Sequence, residues 1–324
     1  MRIRQSSLEA YGRCAQQEYL YAQADAGLIT GVPTLSATVF GSVIHYALHV
    51  MEELHHAGRD DACDVAIATF EHYWQPENLT ALEPGGITVW LPRQSYGGLR
   101  TRARANLRAY YEVLQTDDGL LLALEHTFVV PIELEMEPGT GVVETHELAG
   151  TLDRLAIRTF SRKPYLSIDD FKSGKKPTYL RYKTQWTVYA YASLHPQFWA
   201  AWSQPMLDAI VEPLHKRKLR LFDGDDCELC RSGMHDPTTF VVIPRRGRWI
   251  AVKDAFGVHD TGWRLPNDYA RLEVALREYV KAWQRDVHPL TMGGDPCLYC
   301  PFSMGICGDG TALAGEKEMP TWTR

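Results

Sequence analysis

The sequence predicts an α/β protein, and two changes of rhythm along the chain predict it. Up to about residue 115, apolar side chains recur at helical spacing. From about residue 120 they gather into three extended runs separated by turn residues, and helical spacing then returns. With 324 residues, 45% of them apolar, the chain can bury a substantial core and is long enough for more than one domain.

In order along the chain, "SSLEAYGRCAQQEYLYA" reads as a helix entered through a serine cap. "FGSVIHYALHVMEELHHAG" reads as a second helix that stops at Gly58, a residue suited to a helix terminus. "DDACDVAIATFEHYWQ" and "YGGLRTRARANLRAYYEVLQ" follow as a third and a fourth. "LLALEHTFVVPIELEME", "HELAGTLDRLAIRT" and "PYLSIDDFKSG" form a strand meander. "TYLRYKTQWTVYAYASLH" is expected to be an amphipathic helix and "MLDAIVEPLHKRKLRLF" one strand or two. Residues 223–262 read as an irregular insertion, and "NDYARLEVALREYVKAWQRDV" as a helix with an asparagine cap. The tail "PLTMGGDPCLYCPFSMGICGDG" is too rich in Gly, Pro and Cys to fold without a ligand or staple. The expected divisions are a helical region over 1–119, an α/β core over 120–222, the insertion over 223–262, and a C-terminal helix and tail over 263–324.

The formal net charge of −6 argues against a non-specific polycation, although local basic patches can still bind phosphate. There is no run of 18 apolar residues, so no membrane span is expected. "MRIRQSSLEAYGRC" lacks the apolar segment of a signal peptide, which points to the cytoplasm. Seven cysteines are poor disulfide material in that compartment, where clustered cysteines more often bind metal.

The chemistry is expected where "YLSIDDFKSGKK" turns from strand to lysine-rich turn. Strand alternation sends Asp170 and Lys172 to one face, and Asp169 and Phe171 to the other. Asp153, in "GTLDRL" of the preceding strand, converges with them if the two strands pair as a hairpin. Two carboxylates held close repel unless a cation lies between them. An all-oxygen ligand set favours Mg²⁺ or Mn²⁺, which also accepts phosphate oxygens. A lysine alongside can orient water or neutralise developing charge. That combination suits phosphodiester hydrolysis. The same four residues, taken alone, would equally serve as a strand end with a surface ion pair.

Asp153 followed by Asp170-Phe171-Lys172 resembles the D…(D/E)-x-K signature of the PD-(D/E)xK nuclease superfamily. Within it the resemblance is to RecB-like exonucleases, including the CRISPR-associated Fe–S exonucleases and AddB-type nuclease domains. The resemblance implies a restriction-endonuclease-like central mixed sheet. It implies a metal-binding histidine at His45 of "GSVIHYAL" and an acid at Glu125 of "LLALEHTF". It also implies a Gln185-x-x-x-Tyr189 helix, near the substrate backbone or holding the lysine. The divalent-metal ligands it implies are His45, Asp153, Asp170 and the carbonyl of Phe171, with Lys172 positioning or activating water. Two departures stand out: Leu152 occupies the place of the superfamily's proline, and Asp169 precedes Asp170.

Cys297-x-x-Cys300 and Cys307 offer three thiolates, and a four-ligand centre needs a fourth. The resemblance supplies it from far upstream, at Cys14, and implies a structural [4Fe–4S] cluster stapling the tail to the N-terminal helix. Zn²⁺ accepts the same four thiolates. Separately, Cys227-x-x-Cys230 with His215 and His235 has the composition of a zinc knuckle. "KSGKK" lacks the earlier glycine and the Ser/Thr of a nucleotide-binding loop. Arg100, Arg104 and Arg108 share a helical face, either solvated or tracking phosphates.

The sequence thus reads as a Mg²⁺/Mn²⁺-dependent DNA exonuclease. The resemblance implies single-stranded DNA ends as substrate, a helicase or a recombination or CRISPR protein as partner, and homo-oligomers among relatives. A phage-encoded chain would act in the host cytoplasm. The alternatives are a non-catalytic subunit of a helicase–nuclease complex and a zinc-stabilised DNA-binding protein.

Overall fold

The computed structural model describes residues 1–29, 32, 34–79, 87, 89–91, 93–173, 184–232, 239–252 and 255–287. In chain order these form β1 (Arg2–Arg4), α1 (Gln5–Arg13), α2 (Ala15–Asp25), α3 (Ser36–His56), α4 (Ala62–Tyr73) and α5 (Tyr96–Gln115). The long strands β2 (Leu120–Glu135), β3 (Val143–Phe160) and β4 (Lys163–Lys172) follow, then α6 (Thr184–Ala192), α7 (Gln204–His215) and β5 (Leu219–Arg220). The chain continues through α8 (Glu228–Arg231), β6 (Val241–Val242), β7 (Arg245–Ala251), β8 (Gly257–Arg264) and α9 (Pro266–Arg285).

The expected mixed sheet is present, with helices on both faces. β3 is its axis. β2 pairs antiparallel along nearly all of β3, so β1 (parallel, opposite Glu147–Ala149) and β4 (antiparallel, opposite Arg154–Phe160) lie end to end along the other side. β4 then pairs parallel with β7, and β7 antiparallel with β8. One apolar core joins the sheet to α6, α7, α9 and α1; it contains Leu155, Ile168, Trp186, Trp199 and Leu276. The second joins α3, α4 and α5 to Phe171, Ile250 and Val252. Covered on both sides, β4 is buried from Pro164 to Phe171, so its Ser167, Asp169 and Asp170 are buried along with its apolar residues.

Several expectations change here. The first expected helix is two, because Cys14 is extended (φ −164°, ψ 111°) and breaks α1 from α2. The stretch 204–215, expected as strand, is helical. Ile210 and Val211 look strand-like locally and Pro213 disfavours a helix interior, yet the buried Val211, Leu214 and His215 share one helix face. Residues 223–262, expected to be irregular, contain β6, β7 and β8, two of which extend the main sheet. Their strand pattern is hidden by arginines whose donors the fold satisfies in place. Arg245 is buried and bonds Ser193 and the carbonyls of Ile243 and Leu221, while Arg246 lies over Phe160, Tyr165 and Trp263 and pairs with Asp260. Gly247 sits where β7 passes beneath Trp186, and a Cβ there would come within 2.2 Å of that ring. The C-terminal helix begins at Pro266 after Leu265 rather than at an asparagine cap.

The β3–β4 register is set twice. Phe160 faces Lys163 across a two-residue turn, Ser161-Arg162, with φ of 49° and 64°. Both residues left-handed is the geometry of a turn that matches strand twist. Further along, Arg154 faces Asp169, and their side chains meet at 2.9 Å with both fully buried. Arg154 also reaches Glu52 of α3 at 2.8 Å and Asp117 at 2.9 Å. Arg158 and Arg248 approach Asp169 at 3.2 and 3.4 Å, and Ser167 donates to it at 2.6 Å. Tyr110 of α5 bonds Glu52. Burial opposes the charge on Asp169, but the guanidiniums of Arg248, Arg154 and Arg158 outweigh it and hold the carboxyl down at about 2.

Asp169→Ala should therefore cost about 3–5 kcal/mol, because it leaves buried guanidiniums short of a counter-charge. An aspartate held below its unfolded value of about 4 stabilises the fold above that pH, and the contribution is lost as pH falls from about 4 to 2. Denaturant titrations across that window should show a steeper acid loss for the wild type than for Asp169→Ala.

Candidate active site

Because Arg154 and Asp169 meet on one face of the hairpin, their neighbours Asp153 and Asp170 are turned to the other. The two strands part just beyond this point. The Asp153 carboxylate enters the gap and accepts the backbone N–H of Phe171 at 2.5 Å. Asp153 and Asp170 are both buried. Burial raises the carboxyl of each above its ordinary range, and for Asp170 the nearby Asp153 charge raises it further.

Lys172, two residues beyond Asp170 on the same face, sets its Nζ 2.6 Å from Asp170 Oδ2, with 28% of its side chain exposed. Burial works against the ammonium, but Asp170 and Asp153 outweigh it and raise its pKa. The other oxygen of Asp170 accepts from Gln185 Nε2 at 2.7 Å. Gln185 also donates to the Tyr189 hydroxyl at 3.0 Å, and that hydroxyl donates to the Thr151 carbonyl at 2.8 Å. The Gln-x-x-x-Tyr turn of α6 thus holds Asp170, rather than Lys172, and ties it back to β3.

His45 comes from α3, with Nδ1 3.6 Å from Asp153 Oδ2. Its ring bonds the Phe171 backbone and packs edge-on against the Phe171 ring. Burial, followed by the Lys172 charge, lowers its pKa to about 4, so the imidazole is neutral and has a lone pair to offer.

Glu125 comes from β2. The register on either side sets it opposite Asp153, and its φ of 47° is left-handed, a conformation that disfavours a side chain. Desolvation, then the charges of Asp153 and Asp170, push its carboxyl up to about 7.

His45, Glu125 and Asp153 offer ligand atoms that all lie within 4.8 Å of one another. The structure thus joins Glu125 to the expected pair of His45 and Asp153, while Asp170 engages Lys172 and Gln185. An imidazole and two carboxylates, with the raised Asp170 carboxyl beside them, form a donor set that can hold a divalent metal ion.

The expected opposite orientation of Asp169 is observed. The network behind it, Glu52, Asp117, Arg154, Arg158 and Arg248, was missed by the sequence reading. The available signal was that Arg154 follows Asp153 as Asp169 precedes Asp170. Arg100 and Arg104 of α5 both pair with Glu71 of α4. Cys14 is buried; Cys297, Cys300, Cys307 and His235 fall outside the described residues.

A family model described as "PD-(D/E)XK nuclease superfamily" matches residues 2–308. The chain belongs to that superfamily, which supports a metal-dependent nuclease. No curated protein matches the sequence significantly. Among solved structures, one described as "Crystal structure of SSO0001" is 10% identical, with 90% of this chain and 94% of that chain covered at a TM-score of 0.29. No helix among the described residues is long and apolar enough to cross a membrane.

A left-handed glutamate costs about 1–2 kcal/mol of backbone strain, which glycine avoids. Glu125→Gly should therefore be more stable than Glu125→Ala by about 1 kcal/mol in denaturant titrations. Both variants should bind Mn²⁺ more weakly than the wild type in calorimetric titrations.

Proposed function

We propose that the chain is a divalent-metal-dependent DNA exonuclease of the RecB-like kind, acting on single-stranded ends in recombination, repair or CRISPR-type processing. The observation that carries this reading is the placement of Asp153 and Asp170 on one face of the β3–β4 hairpin, near enough for the Asp153 charge to raise Asp170, with Lys172 at hydrogen-bonding distance from Asp170. His45, Glu125 and Asp153 would hold the metal ion, with Asp170 and the Phe171 carbonyl beside them. When bound, the ion polarises the phosphoryl group and lowers the pKa of water.

The protein's own groups perform the rest. Lys172 is kept charged by two carboxylates and partly open to solvent, so it can donate to a phosphate oxygen or orient the attacking water. Asp170 fixes the direction of that ammonium and is itself fixed by Gln185 and Tyr189. His45 is neutral and therefore adds no positive charge of its own. Water adds to phosphorus, the ester P–O bond breaks, and the departing oxygen takes up a proton.

We also propose that Cys14, Cys297, Cys300 and Cys307 hold a [4Fe–4S] cluster. The supporting observation is that the C-terminal half of α9 packs on the two helices that flank Cys14. Tyr279 and Trp283 of α9 donate to the two oxygens of Glu18, one turn beyond Cys14, at 2.9 and 3.1 Å. Tyr11 packs edge-on against Tyr279. The segment after α9 therefore starts within reach of the buried cysteine.

Lys172→Ala and Asp170→Ala should each digest end-labelled single-stranded DNA at least ~10²-fold more slowly than the wild type with Mg²⁺ or Mn²⁺, with Lys172→Ala still binding the strand. Digestion at the wild-type rate by either variant would falsify the assignment. Anaerobically purified protein should be brown, with iron and acid-labile sulfide that are lost in Cys14→Ser. Colourless, iron-free wild-type protein would exclude the cluster.

A further inference from the structure

A second group of metal-type donors lies away from the acidic centre, at the end of α7. His215 closes that helix, and its imidazole is buried beneath Phe240, with ring centroids 4.9 Å apart. Its Nδ1 lies 3.1 Å from Cys230 Sγ, and Cys230 Sγ lies 3.6 Å from Cys227 Sγ. The ligand atoms of all three residues fall within 4.8 Å of one another. Four-coordinate Zn²⁺, with Zn–S of about 2.3 Å and Zn–N of about 2.0–2.1 Å, sets its ligands about 3.5–3.8 Å apart at tetrahedral angles. The Cys227–Cys230 spacing of 3.6 Å matches that, and the His215–Cys230 spacing of 3.1 Å lies a few tenths of an ångström inside it.

The support around these donors is also that of a metal site. His215 Nε2 lies 3.2 Å from Asp225 Oδ1. A carboxylate there holds the proton on Nε2 and leaves the Nδ1 lone pair directed at the sulfurs, the arrangement that orients ligating histidines in zinc proteins. Asp225 is itself held, because its second oxygen accepts the backbone N–H groups of Leu221 at 2.5 Å and Phe222 at 3.3 Å. The Cys227 carbonyl accepts from the N–H groups of Cys230 and Arg231, closing the tight turn that brings the two sulfurs to one side. Arg231 braces the turn with ion pairs to Asp208 of α7 and to Asp226.

We propose that His215 Nδ1, Cys227 Sγ and Cys230 Sγ supply three of the four ligands of a Zn²⁺ ion that clamps the end of α7 to the turn at α8. Thiol, imidazole and carboxylate in this order could also serve a nucleophilic cysteine. A second, fully buried thiol 3.6 Å from the first suits a chelate instead. The site shares no residue with the acidic centre. A clamp here steadies the segment that leads through β6 into β7, the strand beside β4.

The test is zinc content of the full chain by mass spectrometry, wild type against Cys227→Ser/Cys230→Ser. It is repeated in a Cys297→Ser/Cys300→Ser background so that metal at those cysteines is counted apart. One equivalent should disappear with the first pair in both backgrounds. Co²⁺ loaded in the Cys297→Ser/Cys300→Ser background should give thiolate charge-transfer and intense tetrahedral visible bands, both absent once Cys227 and Cys230 are replaced. If the serine pair does not fold, Asp225→Asn provides the second measure and should weaken zinc affinity ~10–100-fold in chelator competition. Equal zinc content with and without Cys227 and Cys230, or unchanged affinity in Asp225→Asn, would overturn the proposal.

Discussion

The arrangement of this molecule depends on the buried contact between Arg154 and Asp169. In a hairpin whose side chains alternate, pairing one couple inward fixes where the adjacent couple goes. A slip of one residue would separate the guanidinium from its carboxylate in a place where water cannot compensate. It would also part Asp153 from Asp170. The charge network on one face of the sheet therefore acts as the registration device for the acidic centre on the other.

The acidic centre holds its charges in the opposite way. Asp169 is surrounded by guanidiniums and strongly ionised, whereas Asp153 and Asp170 are buried with the exposed Glu125 beside them, and all three are raised in pKa. Lys172 supplies one positive charge against three carboxyls. Such a site is short of cations by construction, and a neutral histidine beside it adds a ligand without repelling an incoming ion. One hairpin thus carries a saturated ionic network and an unsaturated one on its two faces, and only the second is suited to exchange with solvent and substrate.

Much of this was legible in the sequence because it follows from period-two alternation. The faces of Asp153, Asp169, Asp170 and Lys172 could be read from "LDRL" and "DDFK" alone. Gln185 and Tyr189 could be placed on one helix face, although their attachment to Asp170 rather than Lys172 depends on how α6 docks. β7 was hidden because Arg245 is buried and Arg246 and Arg248 are half-buried through specific partners, and polarity then ceases to report exposure. Glu125 was legible as an acid in a strand, but its left-handed backbone was not, since nothing in "ALEHT" marks it. The helix over 204–215 was obscured by β-branched residues and Pro213, whose local preferences the core overrides. The contact of His215 with Cys230 required the fold, because a separation of fifteen positions along the chain leaves many geometries open.

Helix α3 carries His45 and Glu52, seven residues apart and so about two turns along the same side. The first reaches Asp153 and the second Arg154, adjacent residues of β3 whose side chains leave opposite faces of the strand. The helix is thereby gauged against the strand at two points. Inserting or deleting a single residue between them would swing one contact about 100° around the axis while the other stayed put. This stretch should tolerate substitution far better than changes in length, whereas the exposed Gly139–Gly141 bend, held by Glu135, is where the chain can lengthen freely.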